Sequence, residues 1–192
     1  TISDETNKGV GNEFALNYKK TYDTPGKELT ADLFFSRGVR NSDEDLTMID
    51  NIALDSTLKM TTTDGNNWSF TFQSDFVKPI GNGGRLETGI KGIFRKSDAD
   101  YILSERELVS DPWVINNMIS NRFVLTDQVY AGYAIYSNTL GALSYQGGVR
   151  IEDQLKNADQ QTTDSVVKAS FFNIFPSAHI KWDMNKINAL KI

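Results

Sequence analysis

The sequence predicts an all-β protein, an antiparallel up-and-down meander of long hairpins. Apolar and polar residues alternate from Trp68 to Phe76 and again from Leu86 to Phe94, which is the period of β-strands. The connections between such segments alternate between short turns that contain glycine or proline and long polar stretches. In a sheet of sequential neighbours, this alternation places all short turns at one end and all long connections at the other.

Four hairpins follow one another along the chain. The first pairs 14–23 with 28–38 around Pro25 and Gly26, and the second spans 68–94 around Pro79, Gly81, Gly83 and Gly84. The third pairs 128–137 with 142–151 around the turn "NTLG", and the fourth leads from 171–183 into the short segment "NALKI". The long polar connections are 41–66, 96–123 and 152–169. Because 96–123 is more apolar than the other two, we expect a short helix or a lid-like structure there.

Composition excludes several classes of protein. The 192 residues suffice for one domain, and the net charge of −5 argues against a nucleic-acid partner, which would need a basic surface. The absence of cysteine excludes disulfides, thiolate metal sites and cysteine nucleophiles. No apolar run reaches the roughly 18 residues of a transmembrane helix, but a transmembrane strand needs only about 9–11 residues, half of them apolar.

The alternation leaves open whether the aromatic face packs on a protein core or on lipid. Strands of about ten residues, short turns opposite long loops, and aromatic residues at strand ends (Tyr22, Trp68 and Trp182) favour a membrane barrel. The opposite parity then faces a lumen, and its members are Ser69, Thr71, Gln73, Asp75, Glu87, Lys91, Gln146, Arg150 and Glu152. Glycines within strands suit curvature or the close approach of another element, and these are Gly89, Gly132, Gly147 and Gly148.

Two passages carry a resemblance to a known family. The first is "YAIYSNTLGALSYQGGVRIE" (133–152), a hairpin that ends in Gly148, Arg150 and Glu152. The second is "FFNIFPSAHIKWDMN" (171–185), and its signature residues are Phe172, Asn173, Phe175, Pro176 and Ser177. Together they resemble the β-barrel of TonB-dependent outer-membrane receptors of Gram-negative bacteria. The resemblance implies a wall segment of a receptor for uptake of a scarce solute, such as a siderophore or an oligosaccharide.

The resemblance also sets the expected extent and partners. We expect residues 1–192 to be a single barrel segment of about seven strands plus the start of an eighth, without a plug domain. The implied partners are outer-membrane lipid, the plug domain of the same parent chain, the TonB system indirectly, and an extracellular small-molecule or glycan ligand. Unpaired sheet edges or exposed faces could also lead to self-association.

No catalytic, cofactor-binding or metal-binding residue is predicted. His179 is the only histidine and lacks both convergent metal ligands and a Gly-x-Ser-x-Gly elbow, and "GNGG" (81–84) precedes a strand and is a turn. The run Asp43, Glu44 and Asp45 lacks the spacing of a calcium loop, so a solvated loop is expected. Tyr101 and Trp113 could stack on a ligand, but packing on the barrel rim is the favoured interpretation.

Two alternatives to the receptor segment stay open. One is a complete eight-stranded outer-membrane barrel, in which the last strand would pair with the first. The other is a soluble β-barrel or sandwich that binds a ligand inside. An enzyme is not expected, since no catalytic constellation is present in the sequence.

Overall fold

The computed structural model describes residues 2–50, 55–107, 110–185 and 187–192. They form one antiparallel sheet of nine strands in the order β1-β2-β3-β4-β6-β7-β8-β9, with β5 paired to β4. The strands are β1 (Ile2–Thr21), β2 (Glu28–Asp50), β3 (Asp55–Ile80), β4 (Gly84–Arg106), β5 (Val114–Ile115), β6 (Asn121–Leu140), β7 (Leu143–Gln160), β8 (Ser165–Asp183) and β9 (Ala189–Lys191). Within these ranges, no helix is long and apolar enough to cross a membrane. The predicted all-β meander is confirmed.

The seven long strands extend far beyond the predicted segments. They run for 18 to 26 residues, so most of the polar stretches 41–66 and 152–169, which were expected to be loops, is strand. The reason is that alternation marks a strand only where one face is apolar. The outer halves of these hairpins are polar on both faces, and residues such as Thr61, Thr62 and Thr63 pair with β4 without any apolar period.

Of the two structures expected within 96–123, a short helix or a lid-like structure, the helix is not found in the described residues 96–107 and 110–123. Strand β4 continues to Arg106, and β5 then folds back to pair with Ser104 and Glu105. The amide of Asn116 donates to the carbonyl of Leu103 at 2.8 Å, and the amide of Leu103 donates to Ser120 Oγ at 3.0 Å. These bonds hold the segment against the end of β4, where Leu103 is only 5% exposed, whereas Val114, Ile115 and Met118 remain exposed.

All four turns at one end of the sheet are short. Residues 141–142 connect β6 to β7, and 81–83 connect β3 to β4. Gly83 and Gly141 have φ values of +88° and +60°, a region in which glycine has no steric cost. We call this end of the strands the turn end. The opposite end, where the long connections 41–66, 96–123 and 152–169 lie, is the hairpin end.

The positions of these turns reveal the strand tilt. Register partners followed across the sheet from Glu28, the first residue of β2, reach Ser177 in β8. The pairing of β8 continues six residues further, to Asp183. The β8–β9 turn is six strands away from the β1–β2 turn, so the turn end moves by one residue per strand. With about 3.3 Å per residue and about 4.8 Å between strands, this drift corresponds to a strand tilt of about 35°.

Candidate functional site

The register separates the sheet into an apolar and a polar face. Residues opposite each other on neighbouring strands lie on the same face. Phe35, Phe70 and Phe94 are successive partners on one face, whereas Asp75, Gly89 and Tyr133 are successive partners on the other. The predicted parity of the Trp68–Phe94 hairpin is thereby confirmed. Of the glycines grouped together in the sequence, Gly89 and Gly148 lie on the polar face and Gly132 and Gly147 on the apolar face.

The apolar face is not packed on a protein core. Among the described residues, the buried hydrophobic side chains are only Val77, Leu103 and Val129. Phe14 is 60% exposed, Ile90 57% and Phe172 65%. A groove of about 670 Å³ runs over Gly92 and Gly132 on this face. An apolar surface of this extent requires a nonpolar environment or a partner.

Aromatic rings mark both edges of the apolar band. Near the turn end, Tyr22 and Phe76 make an edge-to-face contact at 6.3 Å. Trp182, which is 50% exposed, lies at the same end on β8. From Phe76 to Trp68 the strand advances eight residues. At this tilt, the advance corresponds to a height of about 22 Å between the two edges of the band. The band height therefore matches the roughly 25 Å of a transmembrane barrel.

The upper edge of the band, which is the edge nearer the hairpin end, shifts from strand to strand in the same way as the turns. The register partner of Trp68 on β8 is Lys168. The last outer aromatic residue on β8 is Phe172, four residues nearer the turn end and four strands away from β3. The upper edge of the band and the turns thus both shift by one residue per strand, in the same direction.

The polar face contains a hydrogen-bonded cluster centred on Asp75. Tyr133 on β6 donates its hydroxyl to Asp75 Oδ1 at 2.6 Å, and Gln73 Nε2 donates to Asp75 Oδ2 at 2.8 Å. Gly89 lies on β4 between the two strands, and a Cβ there would overlap the Asp75 carboxylate and the Tyr133 ring. The absent side chain of Gly89 is what allows Tyr133 to reach across a whole strand. Glycine is required at position 89 because any side chain there would occupy the space of this contact.

A second polar cluster lies nearer the hairpin end than the first. Arg95 forms an ion pair with Asp127 at 3.3 Å, and Gln154 Nε2 donates to the same carboxylate at 2.8 Å. Beside it lies a concavity of about 400 Å³ with Ser36 and Ser69 in its lining. Hydroxyls next to a charged pair offer donors and acceptors to a polar solute. The predicted lumen residues Arg150 and Glu152 pair with each other on this face at 2.6 Å.

Three exposed rings on the polar face, within the height of the apolar band, were missed by the sequence analysis. Phe34, Phe171 and Phe175 are 38%, 48% and 49% exposed, and their register partners are Thr71, Gln154 and Arg150. A signal was available in the doublets Phe34–Phe35 and Phe171–Phe172. Consecutive residues of a strand point to opposite faces, so one ring of each doublet must lie among polar neighbours.

The residues considered as candidate sites lie in strands and turns or contact their own hairpins. His179 lies on the polar face opposite Gln146, and no group of metal-ligating residues is found within the described ranges. The acidic run 43–45 belongs to β2 and not to the expected loop, and Ser3 Oγ donates to Glu44 at 2.7 Å. Residues 81–83 form the expected turn. The Trp113 ring lies 4.4 Å below the Arg106 guanidinium, a contact with its own hairpin.

Ion pairs stabilise the hairpins beyond the apolar band. Arg122 donates two hydrogen bonds to Asp98, at 3.1 and 2.9 Å. These bonds lower the pKa of the Asp98 carboxyl and raise the pKa of Arg122. Glu105 accepts from Lys59 at 2.8 Å and from Asn116 at 2.9 Å, and both contacts lower its pKa.

Comparison with protein families identifies one match. The model of the outer membrane protein β-barrel family covers residues 20–192. No curated protein matches the sequence significantly.

Solved structures with the same fold are transporters and receptors far longer than this chain. The ferric citrate transporter FecA in its unliganded form aligns with a TM-score of 0.59 and 11% identity, over 93% of this chain and 26% of FecA. The copper transporter OprC aligns at 0.61 and 10%, over 92% and 28%. BauA, the ferric preacinetobactin receptor of Acinetobacter baumannii, aligns at 0.57 and 9%, over 96% and 29%. The chain therefore spans less than a third of these proteins.

Proposed function

The chain belongs to the outer membrane protein β-barrel family, and from this membership we propose that it forms a wall segment of a larger, TonB-dependent receptor. Its location is the outer membrane of a Gram-negative bacterium, and the family agrees with the expectation that it is not an enzyme. The observation that best supports the proposal is a sheet with one apolar and one polar face. Its apolar band crosses strands that are tilted by about 35°, within the range of outer-membrane barrels. In this arrangement the apolar face contacts lipid and the polar face lines the lumen.

A plug domain in the lumen would account for the exposed rings of the polar face. Phe34, Phe171 and Phe175 would face water in an open pore, and burying them against another domain is favourable at about 25 cal/mol per Å². A barrel wide enough to need many such strands leaves a lumen that is plugged. We therefore assign these rings to the plug interface, and the TonB system would act on the plug and not on this wall.

The solute would be polar and would bind toward the hairpin end. Short turns are periplasmic and long hairpins extracellular in such barrels, so the concavity beside Arg95 and Asp127 lies in the outer part of the lumen. Its hydroxyls and charged pair suit a hydrogen-bonding solute such as a siderophore or a glycan. The alternative of a complete eight-stranded barrel requires β1 to pair with β9, but in the described residues these strands lie at opposite edges of the sheet.

Cysteine cross-linking in the full-length parent protein tests the plug interface. Because residues 1–192 contain no cysteine, each replacement introduces the only thiol of this segment: Phe171→Cys on the polar face or Phe172→Cys beside it on the apolar face. Each is combined with a bifunctional photo-cross-linker in native outer membranes. We expect Phe171→Cys to cross-link to a segment N-terminal to the barrel and Phe172→Cys to cross-link to lipid.

Transport is tested separately by growth. A deletion strain that carries the parent gene with or without its plug-encoding region is grown while single nutrients, iron first, are made limiting. A solute-dependent growth defect supports a receptor. A parent gene without any plug upstream of the barrel would refute the proposal outright.

The isolated chain is proposed to self-associate. It presents the unpaired outer edge of β1 together with an exposed apolar face, and such edges pair with other chains unless they are protected. Light scattering of the purified chain, with and without mild micelles, tests this. A monodisperse monomer in plain buffer would contradict both self-association and the lipid-facing assignment.

A further inference from the structure

Two cations flank a tryptophan at the upper edge of the apolar face. Arg37 on β2, Trp68 on β3 and Lys96 on β4 are successive register partners, and we call these three residues the outer cationic patch. Neighbouring strands lie about 4.8 Å apart, so the Cα atoms of Arg37 and Lys96 are about 10 Å from each other. Both long side chains can therefore reach a single group placed over the Trp68 ring.

The patch lies where the apolar band ends. Lys96 is the next outward-facing residue after Phe94, whose ring contacts Tyr130 at 5.5 Å. Trp68 is the last ring of the band on β3 and is 36% exposed. Tryptophan at such an edge lies at headgroup level, and lysine and arginine extend their charges outward from it. Because the patch lies on the hairpin side of the band, it faces the outer leaflet.

The charges of the patch have no carboxylate within ion-pair distance among the described residues, and Lys96 interacts with Asp98 only at longer range. Arg37 Nε donates to the neutral amide oxygen of Asn66 at 3.3 Å, and no ion pair within 4.0 Å involves Arg37 or Lys96. Asp98, the next outward-facing residue on β4, has both carboxylate oxygens bonded to Arg122. The patch thus retains a net positive charge, in a chain whose net charge is −5.

We propose that the outer cationic patch binds a phosphate of a phosphorylated glycolipid in the outer leaflet. The acyl chains would lie along the exposed apolar face below Trp68, while the phosphate would sit between the guanidinium of Arg37 and the ammonium of Lys96. Arginine suits the planar, two-pronged recognition of phosphate, and lysine adds a point charge. Lys168 belongs to the same register row, but the tilt places it about 8 Å further from the membrane than Lys96, so it is not part of the site.

This inference goes beyond the proposed transport function. It depends only on the outer-membrane location and on the orientation of the sheet. A receptor that transports nothing would retain the patch, and a transporter without lipid binding would still transport.

Native mass spectrometry of the full-length parent protein in micelles provides the test, with bis-phosphorylated lipid A as the probe. Each cation near an anionic surface contributes a factor of about five, so Arg37→Gln and Lys96→Gln should each weaken lipid A retention about fivefold, and the double variant about thirtyfold. Lys91→Gln removes the same charge from the polar face of β4 and should leave retention unchanged. Heat-modifiable mobility on gels confirms that every variant is folded.

Four outcomes would overturn the proposal. One is retention in the double variant equal to that of the unsubstituted protein. Another is equal loss in Lys91→Gln, which would show a nonspecific charge effect. A third is equal binding of dephosphorylated lipid A, which would show contact through acyl chains alone. The fourth is full displacement by inorganic phosphate at the same concentration, which would show a site for a free anion and not for a lipid.

Discussion

Replacing Gly89 with alanine should destabilise the barrel through the cluster around Asp75. A Cβ at this position would overlap both the Asp75 carboxylate and the Tyr133 ring, so the ring must move and its hydrogen bond to Asp75 must break. Overpacking in a tightly filled site costs about 1–3 kcal/mol, and a lost hydrogen bond costs about 1 kcal/mol. We therefore expect Gly89→Ala to lower the free energy of unfolding by about 2–4 kcal/mol.

Gly38→Ala is the matched control. Gly38 lies on the same polar face, and nothing lies within 4 Å of a Cβ built there. Alanine at such a site should be neutral or should stabilise the fold by up to about 1 kcal/mol, because it restricts the unfolded chain. The two glycine replacements should thus have opposite signs, although both add one methyl group to a strand.

The assay is equilibrium unfolding of the full-length parent protein in micelles, with a double-mutant cycle between Gly89→Ala and Tyr133→Ala. Removing the Tyr133 ring clears one of the two overlaps and also removes its hydrogen bond to Asp75, so that the carboxylate can rotate away from the new methyl group. The cost of Gly89→Ala should therefore fall by more than half in the Tyr133→Ala background. Equal stability of Gly89→Ala and Gly38→Ala, or strict additivity in the cycle, would refute the packing argument.

Three further predictions follow from the two faces and the hairpins. Ile90→Arg, at the centre of the lipid-facing band, should cost about 2–4 kcal/mol in equilibrium unfolding, whereas Thr71→Arg on the polar face should cost less than half of that; equal costs would contradict the face assignment. Asp98→Asn should abolish an acid-sensitive part of hairpin stability, read by amide exchange as a function of pH. The lowered pKa of Asp98 means that its pairing with Arg122 contributes fully above the ordinary value of 3.8 and is lost as the pH falls through the lowered value. Trp113→Ala should speed exchange within 110–120 but leave solute affinity unchanged, and a large loss of affinity would instead make Trp113 a ligand contact.

The sequence predicted the membrane half of each hairpin better than the outer half, for a physical reason. Where one face meets lipid, apolar residues must recur at every second position, as Trp68, Phe70 and Phe72 do. Beyond the band both faces meet water, so Asp43 or Thr62 carries no periodic signal, although β2 and β3 continue to pair there. The polar clusters were not predictable either. The contact between Asp75 and Tyr133 joins residues that are 58 positions apart, and it depends on the register of three strands.

The drift of the apolar band distinguishes lipid from a protein core as the partner of the aromatic face. A core formed by a second sheet follows the packing of two twisted surfaces, and nothing requires its limits to lie in one plane. A bilayer is planar, so both limits of a lipid-facing band must cut tilted strands at the same height. The turns shift six residues over six strands, and the upper rings, Trp68 and Phe172, shift four residues over four strands. Turn positions are set by glycine and proline chemistry, whereas ring positions are set by side-chain partitioning. That the turns and the upper rings, which are determined independently, shift by the same number of residues per strand is the expected consequence of a planar bilayer crossing a tilted barrel wall.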